Sequence, residues 1–282
     1  MKSLLLSLSL ALLPTTAAAQ ADAVLEFEFP GQVEPLETAR VSNQVDGIIS
    51  QIHFAPGQFV KKGDVMFSIS DTSYRIDVQT AEASLAEAKA RLSLAEDIAK
   101  RQAELRKRGT GAEARATQSR LEAEIAKAAV ARAEGLLAAA KLALERTQIK
   151  SPISGRAQRP AVPTGAFVEA EGGTVLGQVV KTDPVLVAYK LSYEDRQKAL
   201  AAAKTRSVKD MLQHIELSLQ LPSGDLYPHK GTPKFESSEL DPTTKTLTTW
   251  AEFPNPDNAL IPGLEVKVMS RVFASKSSGP NP

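Results

Sequence analysis

Four pairs of residues recur at one spacing in this chain: Gly47 and Gly155, Gly57 and Gly165, Phe59 and Phe167, Val60 and Val168, each pair about 108 residues apart. Around them, Val45-Asp46-Gly47 and Pro56-Gly57-Gln58-Phe59-Val60 have counterparts in Ile153-Ser154-Gly155 and Thr164-Gly165-Ala166-Phe167-Val168. Gapless matches, two of them at turn-type glycines, imply one small β domain made of two similar halves. Almost everything between the halves is helical in pattern. The chain must leave the domain, travel out, turn and return to finish it. That excursion suits a spacer or docking arm better than an enzyme.

Alternating apolar residues mark the strands of each half. Leu25, Phe27 and Phe29 share a face over 24–30, as do Ile48, Ser50, Ile52 and Phe54, and then Val65, Phe67 and Ile69. Ala55-Pro56-Gly57 and Lys62-Gly63-Asp64 punctuate them as turns. The second half repeats the scheme over 147–153, 165–168 and 174–180. The arm opens near Asp71, Thr72 or Ser73, each a suitable N-cap. Val78, Ala81, Leu85, Ala88, Leu92, Ala95 and Ala99 then follow alternating spacings of three and four, a heptad seam. The return limb offers Leu121, Ile125, Ala128, Arg132, Gly135, Ala139 and Leu142 as the matching seam. A second stripe, Ala126, Ala129, Ala133, Leu136, Ala140 and Ala143, reads either as simple helix propensity or as a face against neighbouring hairpins. Arg106-Lys107-Arg108-Gly109-Thr110-Gly111 marks the turn, with cations at a helix C-terminus followed by glycines.

From Asp183 onward the pattern is β again. Val185, Val187, Tyr189 and Leu191 alternate before a short helix opened by the capping-box spacing of Ser192 and Asp195. Ile215, Leu217, Leu219 and Leu221 form a further strand, as do 246–253 and 266–273. Several short strands around one short helix read as a small β-barrel.

The first residues read as an export signal: Lys2, then an apolar run over Leu4 to Leu13 too short to span a bilayer, then a small-residue cleavage site at Ala17-Ala18-Ala19. The chain has no Cys, which removes disulfides, zinc–thiolate sites and a lipidated-Cys anchor together. With 34 Lys and Arg against 33 Asp and Glu there is no global basic field, so nucleic acid is excluded as a bulk partner. Aromatics at 5% and hydrophobics at 43%, much of it Ala and Leu in the arm, suit an elongated protein with small cores.

These motifs resemble the periplasmic adaptor subunits of bacterial tripartite efflux pumps, the membrane fusion proteins that serve resistance-nodulation-division (RND) transporters. The split repeat around the hairpin resembles their divided lipoyl-like domain. The segment Gly224-Asp-Leu-Tyr-Pro-His-Lys-Gly231, then Glu239-Leu-Asp-Pro-Thr-Thr-Lys-Thr246, Phe253-Pro-Asn-Pro-Asp257 and Leu260-Ile-Pro-Gly263, resembles their β-barrel domain. The likeness covers about residues 25–273. It implies an elongated α+β fold: a split lipoyl-like β-sandwich with an inserted antiparallel coiled-coil hairpin, followed by a small β-barrel. The implied division is an export signal over 1–21, an N-terminal strand and first half-domain over 22–70, the helical hairpin over 71–146, the second half-domain over 147–181, the barrel over 182–274 and a disordered tail over 275–282. The membrane-proximal β domain usual in such adaptors is expected to be lacking, only 24–32 being available for it.

The resemblance further implies a non-enzymatic periplasmic protein, peripheral to the inner membrane. Its partners would be an inner-membrane RND transporter, an outer-membrane channel and two or five further copies of itself, in a trimer or hexamer. Adaptors that dock on the exit channel often carry an Arg, a Leu four positions on and a Ser seven further. Arg101 and Leu105 fit, but the Ser position is Ala112, so the docking hydroxyl is expected to be missing. An adaptor for an ABC-type exporter or for metal efflux stays open, as does a stand-alone envelope scaffold. A biotin or lipoate carrier would need a Lys where this chain has Ser70-Asp71-Thr72; Lys61 and Lys62 come too early. His53, His214 and His229 share no metal-ligand spacing, and there is no phosphate-binding loop or nucleophile elbow. No cofactor, metal or catalytic residue is therefore assigned.

Overall fold

The repeat dictates how the strands pair. The computed structural model describes residues 25–110 and 112–273, so the expected export signal over 1–21, the tail over 275–282 and Gly111 of the turn lie outside the described residues. Two compact units form, one from 35–185 with 256–259, the other from 25–34, 186–255 and 260–273. The first strand, β1 (Leu25–Ser42), contributes to both.

In the first unit, β2 (Gly47–Ile52), β3 (Phe59–Val60) and β4 (Val65–Ile69) precede two helices, α1 (Thr72–Lys107) and α2 (Glu113–Glu145). After the helices come β5 (Gln148–Lys150), β6 (Gly155–Ala157), β7 (Phe167–Val168) and the start of β8 (Val175–Ser192). One sheet runs β5-β4-β2-β7; opposite it, β6 pairs with β3 and β8. Ile49, Met66, Phe67, Ile69 and Val168 from one side and Val60, Ala157, Leu176 and Val179 from the other make a single core. Each large side chain fully buried there contributes about 1.5–3 kcal/mol.

The two halves are interleaved, each supplying the other's partner strand. Gly47 pairs with Val168 and Ile48 with Phe167, while Gly155 pairs with Val60 and Arg156 with Phe59. These are one set of contacts made twice with the roles of the halves exchanged. The loops obey the same rule. The Gly57 N–H donates to the Ala157 carbonyl at 2.7 Å and the Gly165 N–H to the Ile49 carbonyl at 2.8 Å. Asp46 Oδ1 accepts from the Ala170 N–H at 2.6 Å, and at the equivalent position Ser154 Oγ accepts from the Lys62 N–H at 2.9 Å. Asp and Ser alternate here because the position needs only a short side-chain acceptor.

The face read for β2 needs correction. Ile49 is fully buried whereas Ile48 is 49% exposed. The register shifts between Ile49 and Gln51, so Ser50 is an extra residue opposite β4. A bulge reverses the alternation, which puts Ile49 inward before it and Ile52 inward after it.

The helices form the expected antiparallel hairpin, about 54 and 50 Å long at 1.5 Å per residue. All seven α1 seam residues, from Val78 to Ala99, are half-buried. The α2 seam is not the expected one: Leu121 is 49% exposed, Ile125 70% and Leu142 46%. The buried positions of α2 are Ser119, Val130 and Ala133, with Ala126, Ala129, Leu137, Ala140 and Ala143 half-buried. Ala126, Ala129, Ala133, Ala140 and Ala143 of the second stripe thus face α1, where small side chains let two backbones approach closely, joined by Val130 and Leu137, while Leu136 of that stripe is 59% exposed. Lys141–Glu82 at 3.1 Å and Lys89–Glu134 at 3.8 Å cross the hairpin, and both pairs are exposed enough to contribute little.

The second unit is a curled sheet with two short helices. The rest of β8 leads into α3 (Tyr193–Ala202) and α4 (Val208–Leu212). Then come β9 (Ile215–Gln220), β10 (Thr232–Glu236), β11 (Thr246–Phe253) and β12 (Glu265–Val272). Strand order is β10-β11-β8-β1-β12-β9, and a bridge between Leu217 and Gly231 brings the two ends together. β11 and β12 alternate strictly between buried and outward residues, as their sequences require. Residues 25–32, the stretch left over for a membrane-proximal domain, pair with 265–272 inside this sheet. Ser192 caps α3 as read, its Oγ accepting from the Asp195 N–H at 3.0 Å. Arg196 on α3 grips Glu236 on β10 through a two-pronged contact, with Nε at 3.0 and 3.1 Å and Nη2 at 2.6 Å.

Candidate docking site at the hairpin tip

The tip is built by the end of α1. Arg108 caps the helix and Gly109 follows at φ 74°, a left-handed conformation open to Gly at no steric cost. The Gly109 N–H donates to the Arg106 carbonyl at 2.9 Å and the Thr110 N–H to the Leu105 carbonyl at 3.1 Å. This pair of bonds is a Schellman motif, which satisfies carbonyls that a helix end would otherwise leave free. Thr110 Oγ1 donates to the same Leu105 carbonyl at 3.2 Å. Leu105 therefore stands on a backbone fixed by two donors, while its side chain is 43% exposed.

The chain re-enters helix at Ala112, the N-cap of α2, with extended backbone and no side-chain cap. Arg106 Nη1 reaches across the turn to Glu113 Oε1 at 2.7 Å and ties the limbs together. Lys107 pairs with Glu104 at 3.1 Å. Among the described residues, Lys100, Arg101, Arg108 and Arg115 make no ion pair, so their charge is available to a partner.

Arg101 and Leu105, one turn apart, line a shallow groove on the outer face of α1 with Asp97, Lys100, Glu104 and Arg108. Ala112 is not part of it. The structure thus brings two of the three singled-out residues together and leaves the third on the opposite limb. Sequence reasoning missed Thr110, which supplies a hydroxyl near the tip, although that hydroxyl is held by Leu105. The helix spacing of 97, 100, 101, 104, 105 and 108 was the signal that could have delimited the whole groove. Chemically, the tip offers an apolar knob amid guanidinium and ammonium groups. Among the described residues no group of His, Cys, Asp and Glu could hold a metal ion.

Comparison with known proteins bears on every part of this architecture. Residues 37–182 match the family model of the RND MFP barrel-sandwich hybrid domain, and residues 184–272 match that of the RND MFP beta-barrel domain. The solvent efflux pump periplasmic linker SrpA of Pseudomonas putida is 34% identical over 257 residues, covering 90% of this chain and 63% of that protein. The multidrug resistance protein MdtE of Escherichia coli K12 is 31% identical over 242 residues, covering 86% of this chain and 63% of its own. Among solved structures, MacA from Actinobacillus actinomycetemcomitans superposes with a TM-score of 0.66 at 21% identity, over 88% of this chain and 78% of that one. The chain thus spans somewhat under two thirds of the length of the curated relatives it matches.

Proposed function

Because this chain belongs to the RND membrane fusion protein family, we propose that it is a periplasmic adaptor joining an inner-membrane RND transporter to an outer-membrane channel. The observation that carries the reading is the helical hairpin inserted between the two halves of an interleaved sandwich, ending in a cation-rimmed tip whose backbone is held by a Schellman motif. A hairpin whose limbs need each other along their whole length transmits position from the sandwich to the tip without bending freely. Arg101 and Leu105 are the docking residues. Ala112 removes the hydroxyl usual there, and the carbonyl-bound Thr110 does not replace it, so the contact relies on the Leu105 knob and the surrounding cations.

In this reading the barrel grips the transporter, the sandwich units of neighbouring copies pack into a ring, and the protein performs no chemistry of its own. Export across the inner membrane follows from the signal over 1–21. Among the described residues no helix is long and apolar enough to cross a membrane, which suits attachment through partners. The test is crosslinking from barrel-surface positions in intact cells, which should capture a large inner-membrane protein; capture of none overturns the proposal. Leu105→Asp should abolish export with folding unchanged by circular dichroism, and undiminished efflux would remove the tip from the docking contact.

A further inference from the structure

Resting on the self-assembly reading just given, we propose that β3 and β7 are the two complementary edges of a head-to-tail contact between copies of this chain. Both are edge strands: β7 ends the four-stranded sheet, and β3 pairs only with β6. They are the same strand of the repeat. Each turns a Val inward and a Phe outward: Val60 and Val168 are buried, while Phe59 is 57% exposed and Phe167 63%. A single exposed aromatic needs no explanation. Two at equivalent positions on unpaired strand edges mark surface intended for cover.

What the repeat does not conserve is charge. Two residues beyond each Phe, on the same outward side, the first half has Lys61 and the second has Glu169. Lys62 continues the cationic edge and Glu171 the anionic one. Among the described residues none of these four side chains makes an ion pair. Across the ladder Phe59 faces Arg156, whereas Phe167 faces Ile48, itself 49% exposed. One edge is therefore aromatic and cationic, the other aromatic, aliphatic and anionic.

This inversion selects the geometry. Two copies meeting through the same edge would bring the cationic 61–62 edge against itself, or the anionic 169–171 edge against itself, and like edges repel. A copy offering β3 to the β7 of its neighbour sets Phe59 against Phe167 and Ile48, with Lys61 beside Glu169. Each added copy leaves one edge of each kind free, so the contact propagates until the rotation closes a ring.

The native chain has no Cys, so Phe59→Cys and Phe167→Cys each introduce a single thiol. Purified full-length variants, shown to be folded by circular dichroism, are oxidised alone and as a mixture. The mixture should yield a disulfide-linked dimer and neither variant alone should. Adding Lys61→Glu to the first variant should lower that yield about fivefold or more, and adding Glu169→Lys to the second should restore it. Crosslinking of either variant with itself, no dimer in the mixture, or indifference to the charge reversals would each overturn the proposal. Barrel capture of the inner-membrane protein, scored in cells carrying the same variants, reports on the adaptor reading independently. Capture without edge crosslinking sinks only this contact; edge crosslinking without capture sinks the adaptor reading and leaves the contact standing.

Discussion

A β-carbon on Gly231 would lie 2.2 Å from the Phe253 ring, and Phe253 is fully buried. The ring has no open space to step into, since Phe253 itself, its strand neighbour Ala251 and Leu217, which pairs with Gly231, are all fully buried. Gly231→Ala should therefore destabilise the barrel unit by at least about 2 kcal/mol, read as a fall in denaturant midpoint. Gly135 is the counterexample, because it lies inside α2 with nothing near its would-be β-carbon. Gly135→Ala should raise stability by about 0.5–1 kcal/mol in the same assay. Charge at single residues follows similar logic. The Thr244 and Thr243 N–H groups donate to Asp241 Oδ1 at 3.0 and 2.8 Å and hold its carboxyl below the ordinary carboxylate range. A depressed native value means that the turn gains from ionisation above the unfolded carboxylate value and loses that gain as pH falls through the native one. The Thr243 and Thr244 amide resonances should therefore titrate with a midpoint below that of an ordinary Asp carboxyl; a midpoint at or above the ordinary one would contradict the assignment.

Elements obey packing before hydrophobicity, and α2 shows it. Its aliphatic stripe was the obvious seam in sequence, yet Ala126, Ala133 and Ala140 face α1. Ala133→Leu should cost about 1–3 kcal/mol and loosen the hairpin, whereas Ile125→Gln should leave thermal stability within about 0.5 kcal/mol. Equal effects would restore the rejected seam. The α1 seam was legible because its heptad spacing runs unbroken through seven apolar residues, from Val78 to Ala99, whereas Ile76 and Leu94, which are exposed, continue no such row. The α2 sequence carries two apolar stripes, and counting apolar residues cannot rank them. The β2 bulge was hidden for a related reason: Ile48 and Ile49 are equally apolar, and only pairing with β4 decides between them. β10 carries Pro233 and Lys234 in place of an alternating pattern and went unread, whereas β11 and β12 are half-buried and announce themselves. At the tip, it was the family resemblance, through the Arg and Leu spacing it supplies, that singled out Arg101 and Leu105. The Schellman bonds to the Leu105 carbonyl depend on a three-dimensional turn, so the hold on its backbone was not legible.

Across the whole chain, both units are assembled from segments distant in sequence. Residues 25–32 lie between β8 and β12, and β12 separates them from β9. A chain ending after Ala259 lacks β12, exposing two apolar edges at once. Hydrogen exchange on that truncated chain should show Leu217 and Leu219 losing protection while Ile49 and Phe67 keep theirs, because the latter core draws nothing from beyond that point. Simultaneous loss in both cores would mean that the units fold as one. The repeat made the first unit readable from sequence, since internal symmetry constrains pairing directly. The barrel was recognisable mainly through the order of its turn motifs.

The exchanged pairing of Gly47 with Val168 and Gly155 with Val60 makes the sandwich, in effect, a homodimer whose two members share one tether. Such a clasp closes on its own contacts, and the entropic cost of joining its members grows only with the logarithm of tether length, about 0.6 kcal/mol per doubling. Turns can therefore be added to or removed from the rod in matched sets, changing how far it extends, without any side chain of the clasp having to change.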